Sequence, residues 1–390
     1  MSEKCIEPIH ALVQKKIKQI YKLIKKSPNL ETGDFLDGYA GVLLFKNIFE
    51  NKFNKKKTDF NLDILIQNND NFGLGFSGQI WVNIFCNKEN IYIYEEYLEY
   101  IKTSALTDFS NNHYNLIYGG IGKLICLIES GVSKNYLNLI ATQILKNSSI
   151  YDEKKVWLNK YYPYRESNED EINISMIQGL ASILMSLTII YPLVSKNLKK
   201  EISKNIILCV EWIKSSQLNT INDCKMFPTH YFSKNDNHIY YNRIGWCYGD
   251  IGVAYSIYKA GLTINSLNIK NYGLQLCEQI TELKNTNLKY ATDASFSQGT
   301  SGVAHIFNRL YKETGSKKFN QARYYWLDET LKMSKYKDGL VGYKSWVDEK
   351  SGFESNYGLF DGISGIGLVL LGFLTDDVDD LSWDRCLLLS

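Results

Sequence analysis

Seven times along the chain a Gly-x-x-Gly pair gives way to a run that is apolar on nearly every side. The copies are LDGYAGVLLF at Gly38, LGFSGQIWVNIF at Gly75, IYGGIGKLICLI at Gly119, IQGLASILMSL at Gly179, CYGDIGVAYSIY at Gly249, SQGTSGVAHIFNRLY at Gly299 and FDGISGIGLVLLGFL at Gly362. The spacing between first glycines varies from 37 to 70 residues, and the fourth copy has Ser182 where the others have their second Gly. Spacing this irregular argues against a strict solenoid, while seven copies in one chain point to a ring. Each copy reads as a helix start. The first Gly is expected to end a loop in a conformation that other residues resist, and the second to let another backbone approach closely. A run such as Val42 to Phe45, apolar all round, marks a buried helix.

Between these runs the period changes to that of half-exposed helices. Residues 9–26 place Ile9, Leu12, Val13, Ile17, Ile20 and Ile24 on one face with lysines opposite, and 91–102 and 197–214 repeat the design. None of the five prolines falls inside a Gly-led run. The expected fold is therefore all-α: a toroid of about seven inner and seven outer helices, with the loops before the inner helices converging on one mouth. No gap accommodates a second substantial domain, so 1–390 is read as one, with slack for an extended loop within 180–245.

Composition narrows the function classes. With 45% hydrophobic and 22% charged residues the chain is ordinary globular material. Lys plus Arg is 44 and Asp plus Glu is 42, so a net charge of +2 offers no field for nucleic acid. Eight cysteines without a CxxC pair form neither a disulfide framework nor a zinc ribbon. The N-terminus lacks a signal-type apolar core, and no run of roughly 18 apolar residues offers membrane insertion. The expected setting is cytoplasmic and reducing. The lysine stripe Lys15, Lys16, Lys18, Lys22, Lys25, Lys26 reads as a solvated face or a dock for an acidic peptide. The acidic run Glu166, Glu169, Asp170, Glu171 reads as a solvated loop.

If the Gly-led helices run the same way, the residues just before each first Gly face the mouth. These are Asp37, Leu74, Tyr118, Gln178, Cys247 with Tyr248, Ser297 with Gln298, and Asp361. Here the chain resembles the lanthionine synthetase C family, the cyclases of lanthipeptide biosynthesis. The most specific match is RIGWCYGDIG at 243–252, close to the family's Arg-x-x-Trp-Cys-Tyr-Gly segment, and the likeness extends from about residue 35 to 375. It implies a double α/α toroid and Michael-type addition of a peptide Cys thiol to a dehydrated Ser or Thr. In the family a zinc held by two Cys and one His binds the thiol as thiolate, because a thiol of ordinary pKa reacts poorly at neutral pH.

Carried over position by position, the resemblance implies a depleted site. Cys247 keeps the Trp-Cys-Tyr-Gly cysteine, the one retained ligand, while Ser297 and Gln298 stand where the family has Cys-His-Gly. Gln178 replaces the Ala-His-Gly histidine, and Asn115 an aspartate four residues before the third motif. Ser and Gln are poor zinc ligands, so stable zinc is not expected and no other cofactor is implied. Arg243, Cys247 and Tyr248 remain as catalytic candidates: fixed positive charge beside a thiolate or enolate, the thiol, and a proton donor. Trp246, Asn115, Gln178, Ser297 and Gln298 are candidate substrate contacts. Plainer roles stay open: Cys247 as a small core residue, Arg243 as an ion pair with Asp250, Trp246 as wall packing. Of the histidines, His305 reads as core, while His113 and His230 are close enough in sequence to reach the mouth. Asp37, Asp250 and Asp361 would also fit the paired carboxylates of a glycoside hydrolase, although the helix dipole alone favours acids there. The expected partners are a dehydrated precursor peptide and, if the chain is a non-catalytic scaffold, a dehydratase or an intact cyclase paralogue.

Overall fold

The computed structural model describes residues 3–26, 34–36, 38–53, 69–158, 171–218, 226–232, 237–239, 243–285 and 289–390. Its elements group into two compact units. The first comprises 1–69, 73–90 and 284–383, and the second 70–72, 91–283 and 384–390. Asp37, expected at the mouth, and Glu166, Glu169 and Asp170 of the acidic run lie outside the described residues.

The first unit holds α1 (Glu3–Lys26), α2 (Tyr39–Phe53), α3 (Phe76–Cys86), α11 (Thr300–Thr314), α12 (Lys317–Lys332) and α13 (Ile363–Gly372). The second holds α4 (Glu95–Ser110), α5 (Gly120–Glu129), α6 (Lys134–Lys146), α7 (Leu180–Ile190), α8 (Lys196–Ser215), α9 (Asp250–Thr263) and α10 (Leu267–Ile280). All seven Gly-led runs are helices: α2, α3, α5, α7, α9, α11 and α13. The all-round apolar pattern means what it predicts, since every residue of α13 and all but one of α7 are buried. The intervening helices bury one stripe. In α1 that stripe is Ile9, Val13, Ile17, Ile20 and Ile24. Leu12, assigned to it from the sequence, is 56% exposed because it falls just outside the buried arc.

Three of the intervening helices begin differently from the Gly-led ones. α6, α8 and α10 are capped by Ser133, Ser195 and Ser266, whose hydroxyls accept N–H bonds of the first turn. The Gly-led helices have Gly at the cap and no side-chain cap. In five of them the first N–H instead reaches a carbonyl seven residues back, from Phe76 to Asn69, Gly120 to His113, Asp250 to Arg243, Thr300 to Asp293 and Ile363 to Asn356, at 3.0–3.4 Å. The loop thus folds under its own helix and satisfies the orphan donors.

That fold-back explains both glycines. The first sits at φ between −95° and −129°, extended backbone open to any residue, which corrects the expectation of a special conformation. It is Gly for lack of space: at Gly179 a Cβ would press on the Asn173 carbonyl at 2.5 Å. The second glycine meets the carbonyl of the residue six places earlier. The pairs are Gly41 with Phe35, Gly122 with Leu116, Gly252 with Trp246, Gly302 with Phe296 and Gly365 with Leu359.

Backbone hydrogen bonds then chain the loops within each unit. In the first, Phe296 N–H donates to Phe360, Leu359 to Leu36 at 2.6 Å, and Phe35 to Gly73. The expected meeting of the first and seventh motifs is therefore present. In the second, Leu116 donates to Ile177 and Met176 to Cys247.

Short antiparallel ladders interrupt the helices, with strands of two or three residues too brief to show a period in the sequence. They are β1 (Ser149–Tyr151) with β2 (Lys154–Val156), β3 (Glu171–Asn173) with β4 (His230–Phe232) and β5 (Asn237–Ile239), and β6 (Ser345–Trp346) with β7 (Phe353–Glu354). Of the middle sheet, β4 and β5 fall in the slack foreseen within 180–245, while β3 precedes it. It also corrects the reading of Glu171 as a solvated residue: that side chain is completely buried in β3, 3.4 Å from His230.

Candidate functional site

In the second unit the loops before α5, α7 and α9 bring together Asn115, Gln178, Cys247 and Tyr248. Asn115 Oδ1 accepts the N–H groups of Ile117 and Tyr118 at 2.7 and 3.0 Å, a local turn that holds its amide. Its Nδ2 donates to Gln178 Oε1 at 2.8 Å, and Gln178 Nε2 donates to the Tyr248 hydroxyl at 3.1 Å. Both amides are buried. The Tyr248 ring lies nearly parallel to that of His230, 5.9 Å between centroids, and His230 Nε2 faces Glu171. So the two positions carried over as substrate contacts bond to one another.

Cys247 is 6% exposed, and its backbone carbonyl holds Met176. Trp246 is fully buried, with its indole donating to the Leu387 carbonyl at 3.1 Å. That is the wall-packing role rather than a substrate contact. Arg243 is partly exposed, and its carbonyl takes the first N–H of α9. The alternative of an Arg243–Asp250 ion pair is not made, because Asp250 accepts the N–H groups of Met226 and Phe227 at 3.0 and 3.2 Å.

Burial pushes the Asp250 carboxyl up to about 7, against the opposing pull of those two N–H bonds, from an ordinary 3.8. Between those values the folded protein holds a proton that the unfolded chain has lost. Stability from this group is thus complete below about pH 4 and lost as pH rises toward 7. Asp250→Asn should remove that part of the slope. Denaturant unfolding at several pH values between 4 and 7 checks it, and parallel slopes for parent and variant would contradict it.

In the first unit the Ser297 hydroxyl donates to the Asp361 carboxylate, whose backbone carbonyl takes the Ser345 hydroxyl. The Ser297 N–H donates to Phe360 at 3.1 Å. Gln298 Oε1 is buried and accepts no hydrogen bond from the described residues. With Asp250 holding loop backbone and Asp361 holding Ser297, two of the three carboxylates considered for glycoside hydrolysis have structural partners, and Asp37 lies outside the described residues. His305 is fully buried against Phe296 and Trp383, as expected of a core residue. The His113 Nδ1 lies 3.2 Å from Asp108, which also holds the buried Lys123 at 2.7 Å. Among the described residues, no three His, Cys, Asp or Glu side chains are grouped to hold a metal ion. No helix there is long and apolar enough to cross a membrane.

A family model described as "Lanthionine synthetase C-like protein" matches residues 93–388. The chain belongs to that family. Among solved structures it is similar to one titled "Nisin cyclase", at 17% identity and a TM-score of 0.66, covering 97% of this chain and 96% of the other. At that identity the likeness shows the fold alone, the all-α, α/α-toroid class expected from the repeats. Comparison with curated protein sequences yields no match.

One signal for Arg243 was readable without coordinates. The position six residues before the first Gly supplies the carbonyl that starts α3, α5, α9, α11 and α13, and it is Asn69, Asn173, Asp293 or Asn356 in four copies. In three of these the side chain caps a turn two residues on: Asn173 to Ser175, Asp293 to Ser295 and Asn356 to Gly358. Arg243 departs from this pattern, as does His113 in the third copy, so neither side chain has that capping duty.

Proposed function

We propose that this member of the lanthionine synthetase C-like family acts in lanthipeptide biosynthesis as a thioether-ring cyclase-like protein. It adds peptide Cys thiols to dehydrated Ser or Thr through a zinc-free or altered site. Family membership carries the reaction class. The single observation that carries the altered site is the donor set: a hydroxyl already donated to Asp361, a Gln amide, and one thiol. Zinc prefers thiolate, imidazole and carboxylate, and these residues do not fit it.

In this reading Cys247 and Tyr248 border the reacting atoms, and Arg243 supplies fixed positive charge where the thiolate or enolate develops. The partner is a dehydrated precursor peptide. The deciding experiment incubates the protein with a dehydrated, Cys-containing precursor, then alkylates remaining thiols and measures mass. Progressive loss of alkylation at unchanged peptide mass supports the cyclase. Full alkylation at all times rejects it and leaves the non-catalytic reading, a scaffold for a dehydratase or an intact cyclase paralogue. That second reading is favoured by one observation, the engagement of Asn115 with Gln178, where the family has titratable groups.

Metal content provides a separate check. The purified protein should hold well under one zinc per chain after mild chelation, measured by elemental analysis. Near-stoichiometric zinc that disappears in Cys247→Ala would show that other side chains complete a metal site.

A further inference from the structure

We infer that Asn115 and Gln178 are positioning residues that fix Tyr248 as the proton donor of ring closure, an inference that rests on the cyclase reading above. The argument runs along one chain of hydrogen bonds. An Asn amide has an accepting and a donating end, and the two N–H groups of Ile117 and Tyr118 settle which end of Asn115 faces the loop. Its nitrogen therefore faces Gln178 and demands an acceptor, so Gln178 presents Oε1 there and Nε2 to Tyr248. The Tyr248 oxygen is then an acceptor toward Gln178, and its own O–H must point elsewhere. With the ring held against His230 and both amides buried, that direction is fixed by the fold.

The reaction needs a donor of this kind. As the peptide sulfur forms its bond to the β-carbon, the π pair of the dehydro residue moves onto the α-carbon as an enolate. The Tyr248 hydroxyl gives its proton to that carbon, and the proton released by the peptide thiol returns to the phenolate. One S–C and one C–H bond form, one S–H and one C=C π bond break, and no oxidant or reductant takes part. Donation from Gln178 to the phenolic oxygen stabilises the phenolate left behind, which eases the transfer. The family's histidine and aspartate positions thus carry a neutral relay here instead of titrating groups.

Gln178→Glu tests the relay with little change of shape. The carboxylate can still accept from Asn115 but cannot donate to Tyr248, so the phenol must turn its O–H inward. Tyrosines labelled with carbon-13 at Cζ, with the Tyr248 signal assigned by Tyr248→Phe, report the phenol's titration midpoint. In Gln178→Glu it should rise by at least one unit relative to the parent. Asn115→Asp, which keeps the loop N–H bonds but inverts the Gln178 amide, should move it the same way. An unmoved midpoint in both overturns the relay, whatever the catalytic result.

Cyclisation rates supply the second arm. Gln178→Glu should lose about tenfold or more at pH 8, on the scale of general acid catalysis, and recover as the new carboxyl protonates and donates again. A loss equal at every pH marks a merely structural effect and overturns the assignment. A parent that cyclises without the Tyr248 shift keeps the proposed function and rejects the relay. A parent that never cyclises, although the variants move the Tyr248 midpoint, keeps the hydrogen-bond direction and rejects both the cyclase reading and Tyr248 as donor.

Discussion

Gly302→Ala and Gly365→Ala should each destabilise the protein by about 3 kcal/mol or more, far beyond the ordinary effect of Ala for Gly in a helix. Helix propensity alone favours Ala by about 0.5–1 kcal/mol, so any loss must come from tertiary contact. At both positions the added methyl would occupy the space of a carbonyl oxygen, Phe296 O for Gly302 and Leu359 O for Gly365. These oxygens cannot move alone. Phe296 and Leu359 also donate N–H bonds to Phe360 and Leu36, so displacing either loop disturbs its neighbour. Overpacking of a well-packed site costs roughly 1–3 kcal/mol, and backbone on both sides of the contact places these two at the upper end. Ser182→Gly is the control. The fourth copy already tolerates a side chain there, with its hydroxyl 2.7 Å from the Gly179 carbonyl, so that change should cost only about 1 kcal/mol. Denaturant midpoints of the three variants decide. Gly302→Ala and Gly365→Ala no worse than the control would mean that the fold-back contact is not why glycine stands there.

The same contact explains how much of the fold could be read from the sequence. Gly-x-x-Gly followed by apolar residues is a local signal, because the glycines answer to a loop only six or seven residues away and the run buries all round. It was legible seven times over. The reason for the first glycine was not, since extended φ and crowding by Asn173 look alike in one dimension. Glu171 and His230 illustrate a harder limit. They are 59 positions apart and meet only because β3 and β4 pair, and strands of three residues have no alternation to betray them.

For the candidate site, residue types were legible and relationships were not. The resemblance around Cys247 located Asn115 and Gln178, but as isolated substrate contacts. Their bond to one another, and the direction it imposes on Tyr248, depends on which amide end meets the loop N–H groups. The motif leaves Trp246 either a substrate contact or wall packing, and its indole, fully buried, bonds the Leu387 carbonyl. Arg243 is the opposite case. Set beside Asn69, Asn173, Asp293 and Asn356, it is, with His113 of the third copy, a position where the side chain is neither Asn nor Asp.

That departure sets the largest effect expected on activity. If the protein closes thioether rings, Arg243→Ala should slow addition by two or more orders of magnitude, and Cys247→Ala should matter less. The physical reason is the location of charge. In a zinc cyclase the metal stabilises the thiolate before attack; in the zinc-free site proposed above that role would pass to fixed positive charge near the developing anion. Removing one preorganised electrostatic donor from a catalytic site costs about 10²–10³ in rate. The Arg243 side chain is partly exposed and forms no ion pair with Asp250, while its backbone carbonyl caps α9 whatever the side chain is. Truncation should therefore leave the helix start intact, and an unchanged melting temperature confirms that the loss is chemical. Arg243→Lys should recover part of the rate, since it restores the charge without the planar fork. The measurement is the initial rate of thiol loss on a dehydrated precursor for the three variants. Activity that survives Arg243→Ala and vanishes in Cys247→Ala would reverse the assignment and make the thiol, not the guanidinium, the group on which the chemistry depends.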